Sequence, residues 1–264
     1  MFLLPMAMIV GGCVSDPGGQ DAAKSPRRQR LTIAAAANLM FALEDIKSAF
    51  ERMHANVEID ATYGSSGNLH AQLSQGASMD VFFSADTTYP RRLVEAGLAS
   101  EDAFFRYASG RIVIWVTNDS ALDLNVLGID AVTDTSVKKV AIANPRFAPY
   151  GVAAVEAMKS LEVYEATKER LVFAENVTQA AHFGESDAAD VGVLALSLAL
   201  SPELRHNGKY WEVPADAHQP IDQAAVILDR CKNLDAAKQL RAFVVGAEGQ
   251  SILARHGYLP ADES

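Results

Sequence analysis

The chain has 264 residues, 49% hydrophobic and 21% charged, a composition that can bury a sizeable core and excludes a wholly disordered polymer. With 33 acidic side chains against 23 Lys and Arg, the formal charge is -10, and such a field repels nucleic acid and anionic membrane surfaces. An anionic ligand would have to be held by local dipoles.

The first residues, MFLLPMAMIVGGC, carry no charge. The apolar run from Phe2 to Val10 is too short to span a bilayer, which takes about 20 residues, but it fits the hydrophobic region of a secretory signal. Val10-Gly11-Gly12-Cys13 resembles a bacterial lipobox, which implies a signal over residues 1–13 and a lipid on Cys13. Residues 14–30 are rich in Pro, Gly, Ser and charge without apolar periodicity, the composition of a flexible tether whose basic end can sit near acidic headgroups. The other cysteine is Cys231, expected at a strand–helix junction, so the domain after the tether has no cysteine pair for a disulfide or a metal cluster.

From Leu31 onward short apolar runs alternate with amphipathic stretches, the pattern of an α/β fold with mainly parallel sheets flanked by helices. Strands are expected at 31–36, 57–62, 81–83, 112–116, 140–143, 171–174, 191–196 and 224–228. Helices are expected over 39–53, around Leu69 and Leu73, around Leu93 and Val94, over 151–161 and 177–183, and from Leu234 to about His256. The units after Gly110 read as a second copy of the first architecture without a repeat of fixed period. Two lobes follow: residues 31–111 plus 229–264, and residues 112–228, with the chain crossing at 112–116 and 224–228. A ligand would then lie in the cleft beyond the carboxyl ends of the strands.

Four strand-to-helix turns stand out for their small or polar residues. The first is Ala34-Ala35-Ala36-Ala37-Asn38, the second Tyr63-Gly64-Ser65-Ser66-Gly67, the third Asn144 through Pro149-Tyr150-Gly151, and the fourth Asn176-Val177-Thr178-Gln179. Each offers free backbone N–H groups at the positive end of a helix dipole, which favours an anion. Capping explains any one of them alone: Asn38, Ser65 or Ser66 could cap its own helix, and Asn176 with Gln179 has capping-box spacing.

These turns, together with Asp80-Val81-Phe82-Phe83-Ser84-Ala85-Asp86, Ala174-Glu175-Asn176-Val177 and Arg255-His256-Gly257-Tyr258, make residues 31–260 resemble the periplasmic molybdate-binding proteins of ABC importers. The resemblance implies a two-lobed, type II periplasmic binding fold, no enzymatic activity and no cofactor. It implies capture of molybdate or tungstate outside the cytoplasm and delivery to a permease with its cytoplasmic ATPase. It further implies a monomer, attached to the membrane through a lipid alone. Carried over by residue, it makes Asn38 and Ser66 donors from one lobe, and Tyr150, through its N–H and hydroxyl, and the Val177 N–H donors from the other, with the Ala37 N–H beside Asn38. Ala195 departs from the pattern, standing where some members carry a tyrosine.

Other readings compete. Another oxyanion such as sulfate or phosphate, or a small organic anion, would suit the same architecture, as would a sensor or adhesin. A hydrolase is disfavoured because Asn68 stands where a nucleophile elbow needs glycine and His70 shares a helix with Ser66. The six histidines show no metal-binding spacing. Asp86 suits a capping or interlobe role, and Arg146 either the cleft rim or solvent. Mass spectrometry of the protein released from membranes checks the lipobox: the expected mature chain starts at a diacylated Cys13, and an unmodified terminus beyond that residue would refute it.

Overall fold

The computed structural model describes residues 28–261; the leader, Cys13 and the tether up to residue 27 lie outside the described residues. Ten strands form two five-stranded sheets. In the first, β1 (Gln29–Ala36), β2 (Val57–Gly64), β3 (Val81–Ser84), β4 (Phe104–Gly110) and β10 (Ile221–Ile227) run in the order β2-β1-β3-β10-β4. In the second, β5 (Ile112–Thr117), β6 (Val140–Ala143), β7 (Leu171–Ala174), β8 (Val191–Ala195) and β9 (Gly208–Glu212) run in the order β7-β6-β8-β5-β9.

The two sheets repeat one plan. β1 pairs in parallel with β2 and β3, and β6 pairs in parallel with β7 and β8. One antiparallel strand enters each sheet, β10 between β3 and β4 and β5 between β8 and β9. The central strands are buried on both faces, as helix-covered parallel sheets require, which is why β3, β6 and β8 read as unbroken apolar runs.

The lobe boundary differs from the sequence expectation in one respect. Residues 213–228 were expected in the second lobe, yet β10 belongs to the first sheet, so the chain crosses at Arg111 and again over residues 213–220. Segments 112–116 and 224–228 are sheet strands that follow the crossings. An apolar strand fits either sheet by composition; the choice rests on non-local pairing of Ala224 to Ile227 with β3 and of Ile221 to Val226 with β4. Arg111 secures the first crossing, donating from Nε and Nη2 to the Gly257 carbonyl and from Nη1 to Glu212.

Two strands escaped the sequence reading. β4 carries Arg106 and Ser109 among its apolar residues, and β9, GKYWE, is an edge strand with little buried surface, so neither shows a clean period. The C-terminal helical region is two helices, Leu234–Val245 and Ala247–Arg255, separated by extended backbone at Gly246. Cys231 lies at the junction after β10 as expected, half-buried, with burial pushing its thiol up to about 11.

Apolar packing does not stop at the cleft. The second lobe's core takes in Ala36, Ala85 and Ile221 from the first sheet and its turns, while the first lobe's own cores form around Phe50, Phe83 and Leu240 and around Phe82, Leu93 and Val226. Small side chains at 36 and 85 let the lobes approach closely where the turns meet.

Candidate functional site

The strands determine where each helix begins, and the helix starts converge. Residues 36–38 after β1, 64–66 after β2, 148–150 before the helix Pro149–Ser160, and Asn176 with Val177 line one small cavity between the sheets, closed on one side by Ala85. Asn38, Ser66, Tyr150 and Val177, the residues that the resemblance implied, thus line one cavity, and Ala37 lies with them. Each belongs to the first turn of a helix, where N–H groups have no intrahelical acceptor. No charged side chain lines the cavity. A larger groove of about 480 Å³ nearby, lined by Asp86, Arg92, Glu156 and Asp222 among others, lacks this convergence of donors.

Capping accounts for only one of the four turns. Asn176 Oδ1 accepts from the Gln179 N–H at 3.0 Å, and the Gln179 side chain accepts from the N–H of Glu175 rather than that of Asn176. Neither Asn38 nor Ser65 caps its helix. Ser66 Oγ accepts from the Ala85 N–H at 3.0 Å, which leaves the hydroxyl proton free to donate into the cavity. Ser65 Oγ, buried beside it, has no partner at all. The sequence offered Ser65 as a cap; its orphaned hydroxyl is what marks it as a cavity donor, because unpaired buried hydroxyls are rare.

Asn38 is the most constrained residue of the site. Its carbonyl accepts from Ser197 Oγ at 2.9 Å and from Tyr258 Oη at 2.8 Å. Its side-chain Nδ2 donates to Tyr258 Oη at 2.8 Å and Gln223 Oε1 at 3.0 Å, with Tyr150 Oη at 3.5 Å. Oδ1 is buried without a partner. The Tyr150 hydroxyl, expected toward the ligand, accepts from Gln223 Nε2 at 3.0 Å within this same network. Burial pushes the Tyr107, Tyr150 and Tyr258 hydroxyls above the usual tyrosine range, so all three stay protonated near neutral pH.

Gln223, Tyr107 and Ser197 were missed in the sequence, and Tyr258 entered only as part of a motif. The available signal was the interruption of an apolar strand by Gln223, which sits at a bulge of β10 against β4; bulges commonly re-aim a side chain. Gly110 makes room for the network, since a Cβ there would lie 2.2 Å from Tyr150 Oη and 2.7 Å from Gln223 Nε2.

The remaining candidates fall outside the cavity. Arg146 is exposed beside Phe147, as a solvated loop residue. His70 rests against Tyr89, and burial, with Arg92 adding to it, lowers its pKa. Asp86 accepts from the Tyr89 N–H at 3.1 Å, a capping role at the start of its helix, with burial raising its pKa. Ala195 offers no hydroxyl, but two residues on Ser197 reaches Asn38.

Hydrogen bonds also join the lobes around the cavity. The Gly67 N–H donates to the Phe147 carbonyl at 2.8 Å, and Thr178 Oγ1 to the Ala37 carbonyl at 3.2 Å. Two sheets of matching order around a cavity of neutral donors define a two-lobed solute-binding protein of the periplasmic type.

Residues 31–259 match the bacterial extracellular solute-binding proteins, and the chain belongs to that family, which binds rather than transforms its solutes. It is 35% identical over 226 residues to the molybdate-binding protein ModA of Rhodobacter capsulatus, with 86% of each chain covered. The solved periplasmic molybdate-binding protein of Azotobacter vinelandii matches it with a TM-score of 0.81 at 30% identity, over 88% of this chain and 100% of that one. The putative ABC transporter substrate-binding lipoprotein YvgL of Bacillus subtilis is 29% identical over 251 residues, covering 95% of this chain and 93% of its own.

Because Gly110 faces two network side chains, Gly110→Ala should destabilise the ligand-free protein by about 1–3 kcal/mol, the usual cost of overpacking a core. Chemical denaturation measures it; an unchanged midpoint would mean that Tyr150 and Gln223 have room to move aside.

Proposed function

We propose that this protein captures molybdate outside the cytoplasm and hands it to an ABC permease with its cytoplasmic ATPase. One observation carries the reading: four helix starts and the hydroxyls of Ser65 and Ser66 converge on a buried cavity without a charged wall. Backbone N–H groups there, at Ala37, Asn38, Ser66, Tyr150 and Val177, would be the main donors, because helix starts bind anions without a countercharge. Tungstate, nearly the same size as molybdate, would bind the same donors. A relative named as a lipoprotein supports attachment through Cys13.

Selectivity follows from proton count and size. Phosphate keeps at least one proton near neutral pH and needs an acceptor, which a site dominated by backbone N–H donors supplies less well than it supplies donors to an unprotonated dianion. Sulfate has no such proton but shorter bonds, so in a cavity fitted to molybdate its oxygens would not reach all donors together. Hydrogen bonds between protein N–H groups and an anion fall among the stronger, charge-assisted kind.

Thermal shift at matched ionic strength checks the ranking. Molybdate or tungstate at a thousandfold excess over its dissociation constant adds about 4.1 kcal/mol, a rise on the order of 8 to 16 °C for a domain of this size. A sulfate or phosphate shift that equals the molybdate shift would favour the other-oxyanion reading. Ser66→Ala should cost roughly 1.5 to 3 kcal/mol of binding, the range for a hydrogen bond to a charged partner. His70→Ala should leave the affinity unchanged; the reverse pattern would misplace the site.

A further inference from the structure

The network behind the cavity does not use its protons evenly. As placed, the single Tyr107 proton faces both Gln223 Oε1 at 2.8 Å and the Ser84 carbonyl at 3.0 Å. Gln223 Nε2 donates to Tyr150 Oη, so the Tyr150 proton finds no acceptor among these groups. Asn38 Oδ1, in a side chain only 2% exposed, has no donor. A carboxamide has nearly the same shape when turned by half a revolution, but its donors and acceptor exchange places.

If both amides turn together, the Tyr107 and Tyr150 protons each find one acceptor. Gln223 Nε2 then faces Asn38 Oδ1 at 3.0 Å and Tyr107 Oη at 2.8 Å, across the contacts now made by its Oε1. Tyr107 donates to Ser84 alone, and Tyr150 donates to Gln223 Oε1 across the present 3.0 Å contact. Ser197 still donates to the Asn38 carbonyl, while the single Tyr258 proton is shared between that carbonyl and Asn38 Oδ1, each 2.8 Å away. The group left over is the Asn38 NH2, at the position where Oδ1 is now orphaned and in a residue that lines the cavity. Two unpaired buried donors are costly without an anion and favourable with one. Turning one amide alone sets oxygen against oxygen or nitrogen against nitrogen at the 3.0 Å contact.

We propose that Gln223 is a positioning and specificity-determining residue: it turns in concert with Asn38 so that the bound oxyanion meets the Asn38 NH2 and not its carbonyl. The inference rests on the oxyanion reading above. With the NH2 inward the cavity loses its one side-chain carbonyl acceptor and keeps only the Ser65 and Ser66 hydroxyl oxygens, so a protonated anion such as hydrogen phosphate is disfavoured. With Oδ1 inward the cavity has an acceptor for that proton.

Gln223→Met keeps the bulk of the side chain and removes both amide atoms, so Asn38 can show either face. Calorimetry of wild-type and variant with molybdate and with inorganic phosphate reads the effect. The expected result is a molybdate affinity about tenfold weaker, as for one lost hydrogen bond of about 1.4 kcal/mol, with phosphate affinity unchanged or improved. The selectivity ratio therefore falls about tenfold. A merely structural residue would lower the melting temperature and leave that ratio intact, which overturns the proposal.

Side-chain ¹⁵N–¹H spectra of the wild-type protein titrated with molybdate test it without a variant. The Asn38 and Gln223 NH2 signals should both shift. Shifts at the backbone amides of Ser66 and Val177 with silent Asn38 and Gln223 side chains would overturn the inference and leave the oxyanion reading standing. A titration that moves no signal would overturn that reading and the inference with it.

Discussion

The site depends on Asn38 being gripped from both lobes. Its carbonyl receives Ser197 from the second lobe and Tyr258 from the first, while its side chain meets Gln223 and approaches Tyr150. These groups are buried, so each broken bond would leave a polar atom without water, and such networks hold their members in place more firmly than any single bond implies. The turn after β1 is thereby held in register with the second lobe, and the donors of four helix starts can share one cavity. Where Gly67 meets Phe147 and Thr178 meets Ala37, the same approach of the lobes is continued at the cavity's edge.

A net charge of -10 opposes the approach of a dianion. In the proposed site, short-range dipoles would take the place of formal charge. Helix starts carry the equivalent of about half a positive charge each, and charge-assisted hydrogen bonds act at contact distance. Acidic side chains on the surface are screened within roughly a Debye length of 8 Å in physiological salt. A lysine or arginine in the wall would strengthen binding of every anion alike, whereas neutral donors at fixed positions respond to how many protons the anion carries and where its oxygens lie.

Small residues make that arrangement possible. Ala36, Ala37 and Ala85 keep side-chain bulk out of the place where the lobes meet, and Ala36 and Ala85 pack into the second lobe's core. Gly151 is needed for a different reason: a Cβ there would lie 2.1 Å from the Ala143 carbonyl, so only glycine lets the helix after Tyr150 pack this closely on the end of β6. The position of the Tyr150 N–H thus depends on a neighbour that never faces the cavity.

Much was legible in the sequence because it is local. Apolar runs of strand length, helical spacing after each, and small polar turns between them determined the α/β class, eight of the ten strands and the four turns that build the cavity. A helix start advertises its free N–H groups whatever surrounds it, so the four turns could be located from chain order, while Asn38, Ser66, Tyr150 and Val177 were singled out within them by the family resemblance. What tertiary structure alone decided is non-local. Ile221–Ile227 is apolar enough for either lobe, and only its pairing with β3 and β4 assigns it to the first. Gln223, Tyr107, Ser197 and Tyr258 lie far apart in the chain, on segments without a common period, and become one network only when both sheets are in place. Whether Ser65 caps a helix or leaves its hydroxyl unpaired at the cavity wall is equally invisible in sequence, since both ask for the same residue and differ only in what stands opposite it.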